Sequence, residues 1–433
     1  MRRKRLLLGT MVALQLAWFA VRTRVIEAPV DSALLSVIGL TVLAGIALAL
    51  VPEAAGERLG TLGRAARITA SEGRVLAVLA VLSIAIGTWI ALATPRPGWD
   101  EQAMRHASRI VARRGIDGLA VVYRQQRWLG LHHPPLVPIL FGIAMRVFGA
   151  RLVVARLVAV LFSTLTVVVA ARIANQLYGP ATALRAGLML LSFPLFVRIG
   201  GSAMNDPVVT CFAVLSVLLA IGLAREPAGA RRAEGALLGL TLGVGLVSKY
   251  TMVLVCPVVV GILAVSGQLR RRAPAVLVAF LVAGAILATW LVVATRIGVL
   301  GPQLAWLKTG AGVATHSKRH YALDALLTKV PSAVGVYNLP LVALGVLAIA
   351  RRRERPGFVL VLWIGLVAVP LALTLPDNRY FLPAFPALAI VAARGLEGLP
   401  DGRAEAIVLA LVLCAAVVIY FLTIESTRRA FLF

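Results

Sequence analysis

The sequence predicts an all-α, polytopic integral membrane protein, and three observations carry that reading. Mean hydropathy over the chain is +0.92, far above that of a soluble globular protein. Charged residues make up only 14% of the 433 residues, against 60% hydrophobic. The apolar residues gather into runs approaching the roughly 20 residues with which a helix crosses about 30 Å of hydrocarbon, and Arg-rich or Pro/Gly-rich segments punctuate the runs.

The runs follow in order. Leu6 to Phe19 comes after Arg2-Arg3-Lys4-Arg5, a flank like that of a signal peptide, yet no small-residue cleavage site stands out and further spans follow, so it reads as a retained anchor. Ala33 to Val51 is the second, and Val75 to Thr94 the third. Then come Leu152 to Ala174, Ala181 to Val197, Pro207 to Ala224, Gly235 to Val247, Thr251 to Val265 and Pro274 to Thr295. Ser332 to Ala350, Gly357 to Leu375, Phe381 to Ala393 and Ala406 to Leu422 complete the set. The expectation is about thirteen transmembrane helices. Residues 1–74 are read as two extra N-terminal helices and a loop, 75–397 as the membrane core, and 398–433 as a last helix and short tail.

Pro134 to Gly149 stands apart. As a helix its length would rise only about 24 Å, and an Arg at a helix centre, here Arg146, costs roughly 2.5–3.5 kcal/mol on insertion scales. It is therefore expected to lie flat in the interface. With a cytoplasmic N-terminus, Arg225/Arg231/Arg232, Arg270/Arg271/Arg272 and Arg351/Arg352/Arg353/Arg355 all then fall on the cytoplasmic side, as the positive-inside rule requires. A spanning Pro134–Gly149 segment would translocate every one of them.

The net charge of +26 is accounted for by these short loops, which excludes nucleic acid as a partner and leaves the bilayer. Cys211, Cys256 and Cys414 are scattered in apolar runs without metal-ligand or disulfide spacing. The same topology gathers the unusual polar residues on the outer side: 95–151, 198–206, 298–331, the turn at Ser248-Lys249-Tyr250, and 376–380. Polar groups on loops held by a rigid scaffold are where ligand sites form.

Asp100 and Glu101 follow Val75–Thr94 in a chain with only 18 acids. At a partly dehydrated surface a carboxylate accepts a proton from a hydroxyl; the competing reading is that Asp100 caps an interfacial helix. The first outer loop also carries Arg96, Arg105, Arg109, Arg113, Arg114, Arg124 and Arg127, against the positive-inside expectation, which suits a phosphate or anionic lipid as well as a solvated face. His132-His133 precede Pro134-Pro135 and offer a metal contact, a donor to phosphate, or an interfacial anchor. Asp206, before Pro207, sits at the mouth of a span on the same side and is either functional or a cap. Lys249 stands isolated between two short helices, placed to snorkel or to hold phosphate. Arg379 and Tyr380 lie at another outer helix mouth, where Tyr380 also fits an aromatic belt. His316 to Tyr321 form a polar cluster without an assignable role.

Taken in order, these pieces resemble the GT-C-fold, polyprenyl-phosphate-sugar-dependent membrane glycosyltransferases, the family of the protein O-mannosyltransferases and the lipid A aminoarabinose transferase. The matching pieces are Asp100-Glu101, His133-Pro134-Pro135-Leu136, Phe148-Gly149 with Ala155-Arg156-Leu157, and Leu191-Ser192-Phe193-Pro194 leading to Asp206. Gly245-Leu246-Val247-Ser248-Lys249-Tyr250 and Arg379-Tyr380-Phe381-Leu382-Pro383 follow. The resemblance implies Asp100 as catalytic base with Glu101 its neighbour. It implies donor-phosphate or substrate contacts at Asp206, His133, Lys249, Arg379 and Tyr380. It further implies a polyprenyl-phosphate sugar donor, an envelope acceptor (lipid, glycan or protein) and inversion at the anomeric carbon. The span count puts the site on the extracytoplasmic face, and the Ala/Arg/Gly/Val-rich composition suits a bacterial inner membrane. No cofactor is required, although a divalent metal near Asp100, Asp206 or His133 is compatible with it. Two features depart from the family: the first two spans have no counterpart, and no soluble domain follows the core. A multi-pass transporter or lipid flippase is the rival reading, disfavoured by the lack of repeated halves and of midplane charges; an inactive assembly partner is a second rival.

Overall fold

The computed structural model describes residues 70–94, 97–125, 133–225, 232–305, 330–374, 377–399 and 402–429. The two expected N-terminal spans, His132 and the His316–Tyr321 cluster lie outside them. Among the described residues the regular structure is entirely helical. In chain order the helices are α1 (Ala70–Ala93), α2 (Trp99–Arg114), α3 (Ile116–Gln125), α4 (Leu136–Phe148), α5 (Leu152–Tyr178), α6 (Pro180–Ser192), α7 (Pro194–Gly200) and α8 (Asn205–Arg225). They continue as α9 (Arg232–Leu246), α10 (Val255–Val265), α11 (Leu269–Arg296), α12 (Val330–Val334), α13 (Leu339–Arg352), α14 (Arg355–Thr374), α15 (Phe385–Leu396) and α16 (Gly402–Arg429).

Six of these are long and apolar enough to cross a membrane: α1, α5, α8, α11, α14 and α16. The bent pair α6–α7 makes a seventh. The sequence expectation of about thirteen counted short apolar runs as full spans; α9, with 15 residues, rises only about 22 Å. Helix α4, with 13 residues, rises about 20 Å and so falls short of the hydrocarbon thickness.

Proline corrects three expected spans. Ala181 to Val197 is broken at Phe193, and α7 leaves α6 at 75°, because Pro194 has no N–H to continue the ladder. Phe381 to Ala393 begins as a 3-10 turn, Asn378–Ala384, and becomes α-helical only at α15, where Pro386 occupies the first turn. Ser332 to Ala350 divides likewise into α12, the turn Val336–Asn338, and α13 with Pro340 in its first turn.

Packing relies on small residues, as expected where lipid is as apolar as Leu. Gly235, Gly239 and Gly243 form a stripe on α9 so close to α11 that a methyl on Gly239 would stand 2.4 Å from the Ala279 carbonyl oxygen. Ion pairs then pin one end of the bundle: Arg172 with Glu72, Arg185 with Glu397 and Glu405, and Arg394 with Glu354 (2.6 Å) and Glu397. The acids singled out from sequence gather at the other end.

Candidate active site

Helix α2 begins at Trp99, with Gly98 in extended conformation as its N-cap. Asp100 and Glu101 therefore lie in the first helical turn, where carboxylates complement the helix dipole. The capping role considered for Asp100 is overturned by one residue of register.

The two acids point to different partners. Glu101 is buried, and its Oε1 accepts from Arg156 Nε at 2.7 Å and from the Ala203 backbone N–H at 2.8 Å, while Oε2 accepts from Arg156 Nη2 at 2.8 Å. Arg156 Nη1 in turn donates to the carbonyls of Ala91 and Thr94, each at 2.8 Å, satisfying groups at the C-terminus of α1. One forked pair thus ties α1, α2, α5 and the 201–204 turn together. Its guanidinium partner was visible in the sequence only as the middle of Ala155-Arg156-Leu157, with no role attached.

Asp100 turns the other way and pairs with Arg379, across 279 residues of sequence. Arg379 Nε also lies 2.9 Å from Asp377 Oδ2, and Asp377 Oδ1 accepts from the Arg379 backbone N–H at 3.2 Å, which fixes the start of the 3-10 turn. Behind them Lys249 Nζ contacts Asp206 Oδ1 at 2.5 Å. Lys249 is thus not the isolated cation expected from sequence. Tyr380 lies between the two pairs, its ring centroid 4.1 Å from Lys249 Nζ and 5.4 Å from Arg379 Cζ. Asn205, next to Asp206, holds the back of the site through Nδ2, 3.2 Å from His133 Nδ1 and 3.1 Å from the Ser248 carbonyl. The His133 carbonyl accepts from the Tyr123 hydroxyl at 2.8 Å.

The pairs differ in access. Side chains of Asp100 and Arg379 are each 19% exposed, whereas Lys249 and Asp206 are 6% and 4% exposed, so the first pair forms the open edge and the second the floor. Burial lowers the pKa of Lys249 and the charge of Asp206 opposes that shift. Burial would also lower Arg379, but Asp206 and Asp377 outweigh it and the guanidinium is held above its ordinary value. Burial raises the Tyr380 phenol, with Arg379 opposing. Among the described residues no group of three His, Cys, Asp or Glu side chains converges as a metal-ligand set, and Asp100 and Asp206 each already face a protein cation.

The arrangement defines a class: a multi-pass helical membrane protein with two ion pairs, one open and one buried, joined at one end of its bundle. Residues 132–295 match the family model described as dolichyl-phosphate-mannose-protein mannosyltransferase. The undecaprenyl phosphate-alpha-4-amino-4-deoxy-L-arabinose arabinosyl transferase of Pseudomonas paraeruginosa is 35% identical over 153 residues, 33% of this chain and 28% of that protein. Its counterpart in Pseudomonas aeruginosa is 34% identical over 137 residues. The match therefore spans under a third of the curated relatives' length. Among solved structures, ArnT from Cupriavidus metallidurans bound to undecaprenyl phosphate superposes with a TM-score of 0.60 at 19% identity, over 76% of this chain and 61% of that one. The archaeal oligosaccharyltransferase AglB from Archaeoglobus fulgidus gives 0.52 at 13%, over 81% and 56%. The chain shares the helical membrane fold of these solved structures, and its likeness to the family model is confined to residues 132–295.

Proposed function

We propose that this protein transfers a sugar from a polyprenyl monophosphate donor to a hydroxyl of an envelope acceptor, at the extracytoplasmic face of a bacterial inner membrane and with inversion. The observation that carries the reading is the coupling of an accessible carboxylate, Asp100, to a set of cations within one small region: Arg379 beside it and Lys249 below, with Tyr380 between. The curated relatives and the undecaprenyl-phosphate-bound neighbour support the same donor chemistry.

In this mechanism the acceptor oxygen attacks the anomeric carbon as the bond from that carbon to the phosphate oxygen breaks. The electron pair leaves on the phosphate, and the hydroxyl proton passes to Asp100. Arg379 and Lys249 stabilise the charge that grows on the leaving phosphate; such pre-placed groups are worth about 3–4 kcal/mol of barrier each in comparable sites. An incoming phosphate would compete with Asp100 for Arg379, freeing the carboxylate as the substrate arrives. Asp206 keeps Lys249 charged and fixed despite its burial. Glu101 is a positioning residue, since Arg156 and Ala203 occupy both its oxygens. His133 and Asn205 support the floor from behind.

The test is sugar transfer from a panel of radiolabelled polyprenyl-phosphate sugars by membranes holding the wild-type chain or Asp100→Asn. Turnover by the wild type that falls at least a hundredfold in a correctly inserted variant is expected. Equal turnover in both would refute Asp100 as base, and none across the panel would favour the transporter.

A further inference from the structure

The amide of Asn205 meets two partners at once, and their chemistry fixes more than a contact. Asn205 and Asp206 open α8, and both reach the turn that joins α9 to the 3-10 helix Tyr250–Leu254. Asp206 holds the Lys249 ammonium at 2.5 Å, while Asn205 Nδ2 lies 3.1 Å from the Ser248 carbonyl. The same nitrogen lies 3.2 Å from His133 Nδ1. Other contacts hold this turn and the His133 segment together. The Leu136 N–H donates to the Val247 carbonyl at 3.2 Å and the Tyr123 hydroxyl to the His133 carbonyl at 2.8 Å. The Tyr250 hydroxyl donates to Gln303 Oε1 at 3.2 Å and accepts from Trp290 Nε1 at 2.9 Å.

These partners decide where the protons are. A carbonyl oxygen only accepts, so the amide must present its NH2 to Ser248; the opposite orientation would set Asn205 Oδ1 against the carbonyl oxygen. An amide nitrogen only donates, so His133 Nδ1, facing the same NH2, must accept. The proton of a neutral imidazole is thereby placed on Nε2. An imidazolium carries a proton on both nitrogens, and charging His133 would oppose donor to donor. Asn205 is only 3% exposed and its Oδ1 has no hydrogen-bond partner among the described residues, so the contacts of this amide are donated ones. The neighbouring titratable groups are committed elsewhere: Asp206 and Lys249 to each other, Tyr123 to the His133 carbonyl, and Tyr250 to Trp290 and Gln303.

We propose that Asn205 is a positioning residue, which seats the Lys249 turn through the Ser248 carbonyl and holds His133 as a neutral imidazole protonated on Nε2. The positive charge of the site then comes from Lys249 and Arg379 and not from His133. Neither ring nitrogen has a free lone pair, which removes the metal contact from the roles the sequence leaves open for His133. The part Asn205 plays in turnover rests on the transferase reading; the proton assignment does not.

The test is nitrogen NMR of the full-length protein, labelled at histidine and held in liposomes at neutral pH, above the ordinary imidazole pKa of about 6.5. His133→Gln assigns the signal among the five histidines. The expected wild-type signature is an unprotonated Nδ1 and a protonated Nε2. In Asn205→Asp, whose carboxylate only accepts, Nδ1 should become protonated. A wild-type His133 protonated on Nδ1, or a signature unmoved in Asn205→Asp, overturns the proton assignment. The wild-type spectrum decides that point even where a variant fails to fold. Sugar transfer per folded molecule tests the positioning. Asn205→Leu should lower it about ten- to hundredfold in the wild-type background, yet change Lys249→Gln by only about twofold, because both substitutions disable one device. Equal fold losses in the two backgrounds overturn the positioning role. A wild-type chain without turnover on any donor would sink the transferase reading and the positioning role with it, and the proton assignment would still be judged by its spectrum.

Discussion

Replacing Glu101 with Ala separates a positioning acid from a chemical one. The substitution removes three accepted hydrogen bonds, two from the Arg156 guanidinium and one from the Ala203 N–H. Arg156, with its side chain 5% exposed, keeps its contacts to the Ala91 and Thr94 carbonyls but loses its counter-charge. Breaking a buried ion pair by removing one partner costs about 3–5 kcal/mol, and the two retained carbonyl contacts place this case toward the lower end. Arg156→Met alone strands both Glu101 and the two carbonyls and should cost at least as much. The Glu101→Ala/Arg156→Met double variant should cost less than the sum, with a coupling of about 0.5–3 kcal/mol as for residues in direct contact. Equilibrium unfolding in mixed micelles, followed by tryptophan fluorescence, measures all four proteins. Sugar transfer per folded molecule is measured alongside. A Glu101→Ala variant with wild-type stability and no turnover would refute the reasoning, because it would make Glu101 a participant in the chemistry.

Two further predictions test the floor of the site and the packing beneath it. Because burial holds the Lys249 pKa below the ordinary 10.5, its cation is lost as pH rises through that lowered value. Activity should therefore decline on the alkaline side before pH 10.5, and Lys249→Arg, whose guanidinium stays charged, should move that decline upward at reduced rate. A pH–rate profile that is unchanged in an active Lys249→Arg variant would remove Lys249 from the mechanism. Gly239→Ala would bring a methyl 2.4 Å from the Ala279 carbonyl oxygen and should destabilise the protein by about 1–3 kcal/mol. Gly222→Ala, on α8 with nothing within 4 Å of the added carbon, should instead be neutral or stabilising by up to about 1 kcal/mol. Thermal unfolding of the two variants, if equal, would show that the glycine stripe does not set the approach of α9 to α11.

Scarcity of charge is what made the site residues legible in the sequence. In a chain that is 14% charged, a carboxylate at the mouth of an apolar run has few structural reasons to be there, and Asp100, Asp206, Lys249 and Arg379 all stood out on that ground. Their partners did not. Asp100 finds Arg379 and Asp206 finds Lys249 through the return of distant helices to one end of the bundle, and nothing local encodes that meeting. Glu101 shows the same limit at the smallest scale. Neighbours on a helix do not share a face, so an acid adjacent to Asp100 projects about 100° away from it and meets Arg156 instead. Adjacency in sequence suggested a pair of acids acting together; helical geometry divides them into one that faces the open edge and one that fastens the scaffold. The broken span carries a similar lesson, since hydropathy runs unbroken across Phe193-Pro194 while the missing N–H of Pro194 turns the chain by 75°. That turn brings Arg198 to a cavity it shares with Asn378. The placement of Arg198 within the field of Asp377 therefore follows from the backbone chemistry of one proline, together with the Tyr420 and Tyr337 hydroxyls that satisfy the Leu191 and Ser192 carbonyls it leaves behind.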